Sequence, residues 1–156
     1  MARGWKPSYV TEGDIAPPSA LELDEGRTDP HNEFAARSED PAAQAGQAFA
    51  DLLDHDGVHV VGAVTSGVAT PDATPLASVT SPPVAALVQR MLTVSDDDLA
   101  EALGRAVASK SQLPATFDGA TAAVKTAVGS LGVTTDGISL QDTSGLSHAD
   151  RVTPEA

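Results

Sequence analysis

Val84, Leu87, Val88, Met91 and Leu92 stand at i, i+3, i+4, i+7 and i+8, and Ser95-Asp96-Asp97-Asp98 cuts the run off at once. Such a stripe forms one apolar face of an α-helix. Ser81-Pro82 supplies its start, a capping residue followed by proline. The serine and three aspartates then read as a fresh helix start, with acidic side chains at the positive end of the dipole. Leu99, Ala102, Leu103, Ala106 and Val107 follow as the expected buried face. Two helices joined almost without a linker are therefore predicted in the middle of the chain.

Other elements follow the same signals. Residues 1–18 carry no helical period and read as irregular, residues 19–24 as a short strand, and residues 27–39 as an exposed loop. Asp40-Pro41 opens a helix with Ala45, Phe49, Leu52 and Leu53 on one face and Gly57 as its stop. Residues 58–61 and 76–79 read as short strands on either side of a Gly/Thr/Pro-rich connection over 62–75. After Leu113-Pro114, Asp118 can cap a helix bearing Ala120, Ala123, Val124, Ala127, Val128 and Leu131, with Gly132 beyond it. Ile138-Ser139-Leu140 reads as a strand.

Charge and composition narrow the chemistry. Twenty-two acidic against nine basic residues give a net charge of −13, which opposes capture of nucleic acid or an anionic membrane surface. The absence of cysteine removes disulfides and zinc-thiolate sites. Residues 1–9 lack the apolar core of a signal peptide, and the longest apolar stretch, residues 58–64, is too short to span a bilayer. Of 156 residues, 41% are hydrophobic, but one Trp, one Tyr, three Phe and two Met leave mostly Ala and Val to fill a thin core. His31, His55, His59 and His148 have no metal-ligand spacing, and Asp96, Asp97 and Asp98 have no further acidic ligands at EF-hand spacing, so no metal or other cofactor is expected.

A serine followed by aspartates at a helix start is ordinary capping chemistry; the surrounding phrases give it another meaning. These are Tyr9-Val10-Thr11-Glu12-Gly13-Asp14-Ile15, Gly57-Val58-His59-Val60-Val61-Gly62, Leu76-Ala77-Ser78-Val79-Thr80-Ser81-Pro82-Pro83, Met91-Leu92-Thr93-Val94-Ser95-Asp96 and Ser144-Gly145-Leu146-Ser147. In that order they resemble the serine-type, low-molecular-mass penicillin-binding D-alanyl-D-alanine carboxypeptidase/endopeptidase family in its actinobacterial style. The resemblance implies an α/β (α+β) fold, part of a transpeptidase-like domain with helices packed on a fragment of an antiparallel sheet. It divides the chain into residues 1–39, the end of an inserted region with a linker, and residues 40–156, a partial carboxypeptidase domain.

By this resemblance Ser95-Asp96-Asp97 matches the family's Ser-x-Asn motif. Ser95 takes the catalytic place of the hydroxyl that relays a proton to the leaving group. Asp97 takes the substrate-binding place of an asparagine, but an ionised carboxylate only accepts hydrogen bonds. Weakened binding is expected, because the donor is lost and a negative charge faces the substrate's terminal carboxylate. The implied partners are peptidoglycan stem peptides ending in D-Ala-D-Ala and β-lactams, met outside the cytoplasm at the cell envelope.

The residues three before Lys6, Lys110 and Lys125 are Arg3, Val107 and Ala122, so the chain holds no Ser-x-x-Lys, and Lys125-Thr126-Ala127 is not a Lys-Thr-Gly. The nucleophile and its base are absent from it, and acyl transfer needs both. A fragment from the middle of such a carboxypeptidase is the expected reading. The alternative is a non-catalytic remnant that binds peptidoglycan or a partner chain.

Overall fold

A computed structural model describes residues 1–68 and 70–154. Among them are α1 (Tyr9–Glu12), α2 (Pro41–His55), α3 (Val84–Val94), α4 (Asp97–Lys110), α5 (Phe117–Ser130) and a 3-10 turn at Asp24–Gly26. The chain divides into two compact units, Met1–Tyr9 with Val88–Ala156, and Val10–Leu87. No helix among the described residues is long and apolar enough to cross a membrane.

The expected antiparallel sheet is not there. The described residues contain no strand, only two isolated antiparallel bridges, Arg27 with Arg37 and Ser139 with Arg151. Residues 58–61 and 76–79 have β-forming side chains, but a strand needs a neighbour to pair with and a face to bury. Val61 is 96% exposed and Val79 99%, so these segments have neither. Residues 19–24 run into the 3-10 turn, and Ile138-Ser139-Leu140 contributes the single bridge at Ser139. The fold is helical.

In the unit Val10–Leu87, the Asp40 carboxylate caps α2 by accepting the Ala43 N–H at 3.0 Å, with Pro41 at the first helical position. Ala45 and Ala50 are buried, whereas Phe49 and Leu52 of the expected apolar face remain exposed beside Leu21 and Leu23. Residues 27–39 are more than a surface loop. Ala35 and Arg37 are buried, and the Arg37 N–H donates to the Val10 carbonyl at 2.8 Å. Ala69, within the connection read over residues 62–75, lies outside the described residues.

In the unit Met1–Tyr9 with Val88–Ala156, α4 and α5 meet through Ala108, Ala120 and Ala123, with Val107 alongside. Thr116, rather than Asp118, caps α5 by accepting the Gly119 N–H at 3.2 Å. The Trp5 ring meets Phe117 edge-on, centroids 5.3 Å apart, and the Arg105 guanidinium lies 4.4 Å from the Phe117 centroid. The buried face of α4 is Glu101, Gly104 and Ala108, while Ala102 and Ala106 face solvent. The expected apolar face is thus rotated, because the partners of α4 are small alanines and a hydrogen-bonding turn rather than large apolar side chains.

Candidate active-site segment

Ser95 ends one helix and Asp96 begins the next. Ser95 has a left-handed backbone at φ +57°, and the Asp96 N–H reaches back to the Met91 carbonyl at 3.1 Å, the six-to-one bond of a Schellman ending. In the same place α2 and α5 use Gly57 at φ +86° and Gly132 at φ +87°, since glycine takes this conformation without a Cβ clash. A serine there costs about 1–2 kcal/mol. α4 bears a comparable cost at Gln112, φ +59°.

Asp96 is the cap of α4, which corrects the reading of Ser95 as the residue that opens the helix. One Asp96 carboxylate oxygen accepts the Leu99 N–H at 2.9 Å, and the other accepts Arg90 Nε–H at 3.1 Å. The Ser95 side chain is therefore not used for capping. It is exposed and makes no hydrogen bond among the described residues. Asp97 is the half-buried first residue of α4, with Asp98 next to it. Both carboxylates lie in the first turn, where the helix dipole favours negative charge.

Ser144-Gly145-Leu146-Ser147 belongs to a turn built around two buried carboxylates. Asp142, 1% exposed, accepts the Gly145 N–H at 2.9 Å through one oxygen, and the Ser147 N–H at 2.7 Å and Trp5 Nε1–H at 2.6 Å through the other. Glu101, also 1% exposed, accepts the Thr143 and Ser144 N–H groups at 2.7 and 2.9 Å on Oε1 and Arg105 Nη1–H at 2.7 Å on Oε2. Tyr9 also contacts the turn, its hydroxyl donating to the Leu146 carbonyl at 3.2 Å and lying 3.2 Å from His148 Nε2. The Ser144 hydroxyl oxygen is buried without a hydrogen-bond partner.

A third carboxylate, Asp150, accepts the Gln141 N–H at 2.6 Å. Burial pushes its carboxyl above the ordinary value, the Gln141 bond pulls it down, and the neighbouring Asp142 and Glu101 push it up further. Sequence reasoning missed this network. Its one visible signal is Gly104 in mid-helix, where a glycine is unfavourable unless something comes close. A Cβ there would run into the Thr143 side chain.

Lys125-Thr126-Ala127 lies within α5, with the Lys125 ammonium donating to the Ile138 carbonyl at 2.9 Å. It is a helical segment with no active-site geometry.

The sequence profile of the D-Ala-D-Ala carboxypeptidase 3 (S13) family matches residues 29–156. Carboxypeptidase DacB of Mycolicibacterium smegmatis is 39% identical over 153 residues, covering 98% of this chain and 33% of the relative. A carboxypeptidase of Mycobacterium tuberculosis is likewise 39% identical over 153 residues, covering 98% and 32%. A D-alanyl-D-alanine carboxypeptidase of an Actinomadura species is 33% identical over 120 residues, covering 75% and 22%. The chain thus spans about a third of the length of the first two relatives. On the match of the family profile to most of its length, the chain belongs to the D-Ala-D-Ala carboxypeptidase 3 (S13) family.

Proposed function

We propose that this chain is part of a serine-type D-alanyl-D-alanine carboxypeptidase that acts on peptidoglycan stem peptides outside the cytoplasm, with Ser95 as a supporting catalytic hydroxyl. In that reaction a serine oxygen adds to the carbonyl of the penultimate D-Ala. The bond to the terminal D-Ala nitrogen breaks, that nitrogen takes a proton, and water then hydrolyses the acyl-enzyme. β-Lactams enter by the same acylation.

Ser95 suits the proton relay because a hydroxyl both accepts and donates. The observation that carries this reading is its conformation: an exposed hydroxyl without a hydrogen bond, on a backbone that glycine would occupy at lower cost. Asp97 occupies the substrate-facing place two residues on and weakens binding through its charge. The chain itself contains neither a Ser-x-x-Lys nor a Lys-Thr-Gly, so by itself it binds without acylation.

Two measurements on the 156-residue chain test this. Titration with an N-acetylated peptide ending in D-Ala-D-Ala is expected to give weak, saturable binding that the L-Ala-L-Ala peptide does not reproduce. Incubation with a fluorescent penicillin is expected to leave no covalent band. Equal binding of both peptides would overturn the substrate assignment, and a covalent band would reveal a nucleophile that the reading denies.

A further inference from the structure

We infer that Glu101 is a positioning residue: its carboxylate anchors the turn of residues 143–147 to α4, the helix that starts beside Ser95. The link to substrate rests on the reading of Ser95 given above; the anchoring itself stands on geometry.

A carboxylate 1% exposed on the packed face of a helix is an expensive choice for a position that leucine or methionine could fill. Its compensation is complete. Oε1 accepts two backbone N–H groups from residues 42 and 43 positions away in sequence, and Oε2 accepts the Arg105 guanidinium. Asp142 holds two more of the turn amides, Gly145 and Ser147, from only three and five residues away. The two acids therefore have different tasks. Asp142 shapes the turn locally, and Glu101 fixes it to a distant element. Thr143 reinforces that junction by donating its hydroxyl to the Ala100 carbonyl at 3.2 Å and packing over Gly104. Glu101 lies five residues past the cap, about 7.5 Å along the helix axis. A shift of the turn therefore occurs within two helical turns of the Ser95 hydroxyl.

Glu101→Leu, Glu101→Gln and Gly104→Ala in the 156-residue chain test the inference by amide hydrogen exchange and by titration with the D-Ala-D-Ala peptide. Glu101→Leu fills the volume without an acceptor. It is expected to lower protection of the Thr143 and Ser144 amides at least tenfold, to spare the α4 and α5 amides, and to weaken peptide binding about tenfold. Glu101→Gln keeps an oxygen for both amides and is expected to restore protection and affinity together. Gly104→Ala displaces Thr143 without touching Glu101 and is expected to reproduce the Leu variant, which covers the case in which that variant does not fold.

Unchanged protection at Thr143 and Ser144 in Glu101→Leu, equal loss across the whole chain in both Glu101→Leu and Gly104→Ala, or a Gln variant that rescues neither readout would overturn the inference. If the unaltered chain binds no peptide, the functional reading falls. The two amides and their recovery in the Gln variant still decide whether Glu101 is the anchor.

Discussion

Arg90 and Asp96 face each other across the α3–α4 joint, Nε to carboxylate 3.1 Å, with the Asp96 side chain 3% exposed and that of Arg90 52% exposed. Because the same carboxylate also caps α4, Asp96→Ala removes both interactions. The expected loss is about 1–2 kcal/mol, most of it from the cap. Asp96→Asn keeps an acceptor for the Leu99 N–H and gives up mainly a half-exposed ion pair, an expected loss of about 0.5 kcal/mol. Urea midpoints of the two variants should rank in that order.

Ser95→Gly is expected to stabilise the chain while removing its proposed function. Relief of the left-handed backbone, less the extra freedom of glycine in the unfolded state, leaves a gain of about 0.5–1 kcal/mol. This corresponds to a rise in melting temperature of about 1–4 °C. Gly57→Ser, the reverse change at the matching position of α2, should lower the melt by a similar amount. A Ser95→Gly chain no more stable than the parent would show that the serine carries no strain.

Asp97→Asn should move stability and affinity in opposite directions. Losing a carboxylate from the first turn of α4 costs about 0.3–1 kcal/mol of dipole interaction. If Asp97 takes the substrate-binding place proposed for it, removing its charge is expected to tighten peptide binding about tenfold, or about 1.4 kcal/mol. Raising the salt concentration should narrow the affinity gap, since the repulsion is screened. Calorimetric titration at two ionic strengths reads both effects.

Asp150 gives a pH dependence with a definite sign. Its folded carboxyl lies above the ordinary value of 3.8, burial being the leading cause. Between those two values the folded state binds more protons than the unfolded one. Stability therefore falls as pH rises through that window and is level with respect to this group above it. Asp150→Asn cannot ionise and still offers an oxygen to the Gln141 N–H. It should be more stable than the parent at about pH 7 and indistinguishable from it at about pH 3, as read from urea midpoints.

Helices α2 to α5 were legible because their signals are local, whereas the single turn of α1 formed in a stretch read as irregular. Asp40-Pro41, Gly57 and Gly132 mark ends with side chains or backbone freedom that act within a few residues. Which face each helix buries was less legible, as Phe49 and Leu131 show by remaining exposed. Apolar periodicity gives the stripe but not the partner. The strands failed for the same reason, since the β-forming character of residues 76–79 counts only against a paired neighbour. The phrase around Ser95 carried the family resemblance, which is a matter of local sequence. Its left-handed backbone depends on where α3 ends, and the hold of Glu101 on Thr143 and Ser144 spans more than forty residues, beyond any local pattern.

Only Ser95 and Asp96 separate α3 from α4, and each is already committed, one to the end of a helix and the other to the start of the next. Adding or deleting a single residue there would turn α4 by about 100° relative to the last turn of α3. Glu101 would swing off the turn it holds. Length variation among relatives should therefore be excluded from this two-residue joint and tolerated in the exposed stretch of residues 70–80, so that the positions of gaps, read without regard to residue identity, report which part of the chain keeps time for the rest.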